Sequence, residues 1–150
     1  MNPVSIKNKL IELCVGHLQK TIDHIEYAMS EAQKSANDYG QPKDRYDSYR
    51  TQLLRKRDLF AKQLQVAVKQ MDILRRVDPE VPADRASFGA VVKTREQTIF
   101  IAVGLGKIHH DGTDFFVISP NVPIFEAMRD KQKGEEFMFR GTKQKIEDIF

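Results

Sequence analysis

Two periodicities divide the chain. From Ile11 the apolar residues recur at alternating steps of four and three: Ile11, Val15, Leu18, Ile22, Ile25, Met29, Ala32 and Ala36. That is a heptad seam held for about four repeats, the pattern of a helix packed along a second helix. Asn37-Asp38-Tyr39-Gly40-Gln41-Pro42 then gathers residues that stop helices and form turns. Gly40 suits a left-handed C-cap, and Pro42 suits the first turn of a new helix. A second seam follows through Tyr46, Arg50, Leu53, Arg57, Phe60, Leu64, Ala67, Met71 and Leu74. Helices over about 8–38 and 43–76, joined by so short a connection, must fold back as an antiparallel coiled coil. At 1.5 Å per residue, roughly 30 residues give an arm of about 45 Å. Arg50 and Arg57 interrupt the seam, and their stems are expected to snorkel past the thin alanine positions.

Beyond Asp78-Pro79-Glu80-Val81-Pro82 the period changes to that of strands. Ser87–Thr94, Thr98–Val103, Lys107–His109 and Phe115–Ser119 are β-rich, with Asp111-Gly112 a hairpin turn between the last two. Val122–Lys133 reads as a short helix with Ile124, Ala127 and Met128 inward. Glu135–Arg140 and Lys143–Ile149 form a last hairpin about Gly141-Thr142. The fold class is therefore α+β: a coiled-coil hairpin over 1–78, a linker over 79–86, and a small antiparallel β domain with one helix over 87–150.

Composition narrows the class. The chain has 150 residues, 41% hydrophobic and 30% charged, enough for a core and too small for a large multidomain enzyme. No apolar run reaches the roughly 18–20 residues that span a bilayer. Charges at Lys7, Lys9 and Glu12 interrupt any signal-like start, so a cytoplasmic protein without membrane contact is expected. One cysteine, Cys14, excludes an intrachain disulfide and a multi-cysteine zinc site. The net charge of +3 is small for a protein held to nucleic acid by phosphate contacts. Residues 1–78 carry 14 Lys+Arg against 10 Asp+Glu, and the remainder 10 against 11, so the positive excess belongs to the hairpin.

Candidate chemistry is sparse. His109-His110-Asp111 resembles a metal cluster, but neighbouring strand residues face opposite ways, and a solvated turn is the better account. Cys14 and His17 lie one helical turn apart with no further ligand, and Cys14 sits beside the seam. Gly104-Leu105-Gly106 follows a strand but opens no helix, so it reads as a bend and not a phosphate loop. Arg55-Lys56-Arg57 reads as a solvated face. The hairpin tip offers Asp38, Asp44 and Asp47. The last two, three apart, would share a helix face, with Asp44 capping the second helix.

The order of parts supplies a context: an antiparallel hairpin, an acidic tip, a proline-containing linker and a small β domain. In that domain Phe88-Gly89-Ala90-Val91-Val92 begins the first strand. Ser119-Pro120, Pro123-Ile124, Ala127-Met128, Lys131, Gly134 and Glu136-Phe137 follow in order. This resembles the Gre family of bacterial transcript cleavage factors. The resemblance implies a β domain similar to FK506-binding proteins, touching bacterial RNA polymerase through Ser119, Pro120 and Asn121. It implies a hairpin entering the polymerase secondary channel, with tip carboxylates near the catalytic magnesium. Such a factor is no enzyme and binds no cofactor alone; Mg²⁺ is shared with the polymerase. Contact with nascent RNA is indirect, and any DNA association comes only through the polymerase.

The family's tip reads glycine-aspartate-x-lysine-glutamate, where this chain has Gly40-Gln41-Pro42-Lys43-Asp44. Asp44 matches the second acid, Gln41 replaces the first, Asp47 matches a further acid, and Asp38 lies across the loop. The resemblance therefore implies Asp44, then Asp47, then Asp38 as ligands offered to the metal, with channel entry favoured over efficient cleavage. Two other classes stand beside this one: a coiled-coil scaffold for another partner, and a peptidyl-prolyl isomerase of the FK506-binding type.

Overall fold

The computed structural model describes residues 2–150. Helix α1 spans Pro3–Tyr39. Asn2 starts it: its side-chain oxygen accepts from the Ser5 amide at 2.8 Å, its carbonyl accepts from the Ile6 amide, and Pro3 fills the first position, where no amide is needed. Gly40 ends it at φ 78°, its amide donating to the Ala36 carbonyl at 3.1 Å, which is the left-handed cap expected. Helix α2 spans Tyr49–Leu74. It starts six residues later than the sequence pattern indicates, because residues 43–48 are held in a hydrogen-bonded loop and Ser48 provides the first carbonyl of the helix, to Gln52. The two helices form the expected hairpin.

The chain divides into two compact units, and the division does not fall at Asp78. One unit is Gly16–Met71, and the other joins the residues up to Val15 with Asp72–Phe150. In the first, Leu18, Ile22, Ile25, Ala32 and Ala36 of α1 and Ala67 and Met71 of α2 are buried. Phe60 and Leu64 are half-buried. Arg57 does not merely snorkel: its Nη1 donates to the Gln33 side-chain oxygen.

In the second unit the buried line of α1 runs Lys7, Leu10, Cys14, with Leu74 and Val77 buried beside the sheet domain. Ile11 and Val15, on the expected seam, are only half-buried, while Cys14 lies on the buried line and not beside it. The steps 7-10-14-18 are three, four and four, an eleven-residue pattern of 3.67 residues per turn that keeps one face of a straight helix inward. Lys7 is 2% exposed and its ammonium donates to the Val81 carbonyl at 3.2 Å. Burial lowers its pKa, partly offset by Asp78. This bond and the apolar line explain why the start of α1 groups with the sheet.

The sheet comprises β1 Val91–Thr94, β2 Thr98–Ile101, β3 Gly106–His110, β4 Thr113–Ile118, β5 Glu136–Phe139 and β6 Thr142–Ile149, in the order β3-β4-β2-β1-β6-β5. It is mixed, not wholly antiparallel: β2 and β4 run parallel, with Thr98 opposite Phe115 and Ile101 opposite Ile118. The segment after β2 makes this so. Ala102 donates to the Ile118 carbonyl and Leu105 to the Val117 carbonyl, carrying the chain past the end of β4, and Gly106 turns it at φ 77° into the outer strand. The β3–β4 turn stands on Asp111-Gly112, as the sequence indicates. The last hairpin turns on Arg140-Gly141, one residue earlier than expected, at φ 52° and 76°.

Helix α3 is short, Pro123–Met128, and does not reach Lys133. After Met128 the chain is drawn off to pair with Ala86, whose amide donates to the Lys131 carbonyl and whose carbonyl accepts from the Asp130 amide. Phe125 and Met128 face the core with Val92, Ile99, Ile101, Phe137 and Ile146. Ile124 and Ala127 pack at its margin.

Candidate functional site

The hairpin tip is a nine-residue loop, residues 40–48, built around one carboxylate. Asp47 Oδ2 accepts from the Lys43 amide at 2.7 Å and from the Tyr39 hydroxyl at 2.5 Å. Its Oδ1 accepts from the Tyr49 amide at 3.1 Å. Tyr39 and Tyr49 meet edge to face at 4.8 Å, with the Lys43 ammonium over the Tyr39 ring. These three bonds tie the last residue of α1, the middle of the loop and the first residue of α2 to one side chain. The Lys43 amide, then the Tyr39 hydroxyl and the Tyr49 amide, hold the Asp47 carboxyl below its ordinary range. The same bond to Asp47 pushes the Tyr39 phenol up to about 12.

Asp47 is therefore not an exposed ligand on a helix face, as its spacing from Asp44 implies, but the anchor of the loop. Asp44 does not cap α2 either. Its Oδ1 accepts from the Tyr46 amide at 2.7 Å, closing a local turn, and the Asp47 amide donates to its carbonyl. Its Oδ2 accepts no hydrogen bond among the described residues, and the residue is exposed. Asp38 is exposed on the last turn of α1, and Gln41 is exposed in the loop. The tip thus presents Asp44 outward and spends Asp47 on its own shape. Tyr39, Tyr46 and Tyr49 belong to this site although the heptad pattern gives only Tyr46 a place. Three tyrosines within eleven residues flanking a turn were the available signal.

Among the described residues no three His, Cys, Asp or Glu side chains gather so as to hold a metal ion. His109 Nδ1 lies 2.6 Å from Asp114 Oδ1 across the β3–β4 pair, while His110 Nε2 lies 3.2 Å from Asp111 Oδ2. Asp114, next to His109 and Lys107, is held below the usual carboxylate range. Cys14 is fully buried, which pushes its thiol up to about 12, and His17 is exposed.

On the sheet domain, Ser119-Pro120-Asn121 links β4 to α3. Ser119 and Pro120 are half-buried and Asn121 is exposed, its amide donating to Ser119 Oγ at 3.3 Å. Beside this link lies an apolar hollow of about 650 Å³, walled by Ile99, Phe116, Ile118, Val122, Ile124 and Phe139, with Gln97 and Arg140 at its rim. Arg140 stacks over the Phe139 ring at 5.1 Å. No helix among the described residues is long and apolar enough to cross a membrane.

No protein-family model matches the chain. No curated protein matches it. Among solved structures it is similar to the GreA factor homolog 1 protein of Thermus thermophilus, at 12% identity and a TM-score of 0.35, over 91% of this chain and 94% of that one.

Proposed function

We propose that this protein is a Gre-like regulator of bacterial RNA polymerase that enters the secondary channel with its hairpin. The observation that carries the reading is the tip: a two-helix hairpin ends in a loop whose one outward carboxylate, Asp44, has an oxygen that accepts no hydrogen bond among the described residues. One or two added carboxylates are what a hydrated Mg²⁺ accepts, so a single acid can assist a metal site built by a partner but cannot build one. The ordered resemblance from Phe88 to Phe137 supports bacterial RNA polymerase as that partner. Ser119, Pro120 and Asn121, next to the apolar hollow, form the face for the channel rim. The protein is a factor and not an enzyme; any hydrolysis belongs to the polymerase and its metal ions.

Because Gln41 stands where the family has its first acid, and Asp47 is consumed by the loop, cleavage of backtracked RNA by the wild type is weak or absent. The test is RNA cleavage in stalled bacterial polymerase complexes, at matched occupancy, with wild type, Asp44→Asn and Gln41→Asp. Gln41→Asp raises cleavage, whereas Asp44→Asn abolishes what remains without changing binding. Identical rates for all three would remove the tip from the metal chemistry. Failure of the wild type to bind polymerase would remove the whole reading and leave a coiled-coil scaffold.

A further inference from the structure

Helix α2 carries a second stripe, facing away from the buried line of Ala67 and Met71. Arg55, Leu59, Lys62, Val66 and Lys69 follow one another at steps of four, three, four and three. At 100° per residue they fall on one side of the helix, opposite the inward residues. All five are exposed, Leu59 by 60% and Val66 by 58%. None of the three cations has an ion-pair partner among the described residues; the nearby Asp58 is bound by Arg57 at 2.8 Å. The stripe has the heptad spacing of a coiled-coil seam, with cations at one position of each repeat and branched apolar residues at the other.

We propose that this face docks an acidic amphipathic helix of another protein, whose Leu-like residues cover Leu59 and Val66 while its carboxylates pair with Arg55, Lys62 and Lys69. Charge complementarity selects this occupant. A second copy's α2 would set cation against cation, a repulsive pairing. The outer side of α1 offers one exposed large apolar residue, Tyr27, and cannot supply the matching stripe. Phosphate backbones would satisfy the cations but leave Leu59 and Val66 uncovered between them. The proposal does not depend on the polymerase reading.

The test uses the full chain and two synthetic helical peptides of about three heptads. One alternates Glu and Leu on a four-three stripe, the other Lys and Leu, and a single-stranded RNA oligomer is the third probe. Binding is followed by fluorescence anisotropy. The wild type binds the Glu/Leu peptide and not the Lys/Leu peptide. The variant Arg55→Glu, Lys62→Glu, Lys69→Glu weakens Glu/Leu binding by roughly tenfold or more and gains the Lys/Leu peptide. Leu59→Ser with Val66→Ser also weakens Glu/Leu binding, with helical content by circular dichroism unchanged. Equal binding of the two peptides, or none of the first, overturns the proposal. So does RNA binding lost on charge reversal but indifferent to Leu59→Ser and Val66→Ser, or self-association by sedimentation that the charge reversal dissolves.

Discussion

The buried line at the start of α1 can be tested with two neighbouring truncations. Leu10 is 2% exposed, whereas Ile11, one residue on, is half-buried. Leu10→Ala removes three carbons from a closed environment, about 2.4 kcal/mol at about 0.8 kcal/mol per carbon. The cavity left behind raises the cost toward the upper part of the range of about 2.7–5 kcal/mol known for such changes. Ile11→Ala loses about half of the transfer value and opens no closed cavity, so about 1 kcal/mol is expected. Both changes introduce alanine into a helix, and the gain in propensity is larger for isoleucine, which widens the gap. With a urea slope of about 2 kcal/mol/M, Leu10→Ala lowers the unfolding midpoint by about 1.4–2.5 M and Ile11→Ala by about 0.5 M. Circular dichroism at the helix minimum, with tyrosine fluorescence as a second probe, measures both midpoints and shows whether the two units unfold together. If Ile11→Ala shifts the midpoint as far as Leu10→Ala, the strict heptad through Ile11 and Val15 is the true seam, and the eleven-residue register is wrong.

Further expectations concern titrating groups. In ultraviolet titration one of the four tyrosines ionises near 12, and Asp47→Asn returns that phenol toward the ordinary value by removing its acceptor. Asp47 has a lowered folded pKa, so its contribution to stability is present above the unfolded carboxylate value and is lost as pH falls through the folded one. Asp47→Asn should therefore flatten the acid limb of the pH–stability curve, as chemical unfolding between neutral and acid pH will show. Lys7 has the same sign of pH dependence in the alkaline range: its folded pKa lies below 10.5, so the unfolded state binds more protons between the two values and stability rises with pH there. That rise should vanish in Lys7→Met, and a slope identical to wild type would mean the ammonium is not desolvated. The Cys14 thiol should resist a disulfide reagent at pH about 8 in the native protein and react fully in urea, since only thiolate attacks and burial suppresses it.

The alternation of fours and threes from Leu18 to Ala36 determined by itself that two helices pair, because a residue every 3.5 positions can bury only one stripe. Gly40 fixed the end of α1 for an equally local reason: a left-handed residue without a Cβ penalty. Asp111-Gly112 likewise settled a hairpin. Where α1 meets the sheet unit, the pattern misled. Ile11 and Val15 look as apolar as Leu10 and Cys14, and only packing against the rest of that unit selects which pair is buried. A buried lysine at position 7 could not be read at all, since its acceptor, the Val81 carbonyl, lies 74 residues away. The same holds for the parallel pairing of β2 with β4, which depends on long-range backbone bonds from Ala102 and Leu105. At the tip, composition showed three carboxylates but not their division of labour. Asp44 points out and Asp47 points in because the Lys43 and Tyr49 amides and the Tyr39 hydroxyl converge on one oxygen pair, and convergence is a property of the folded loop.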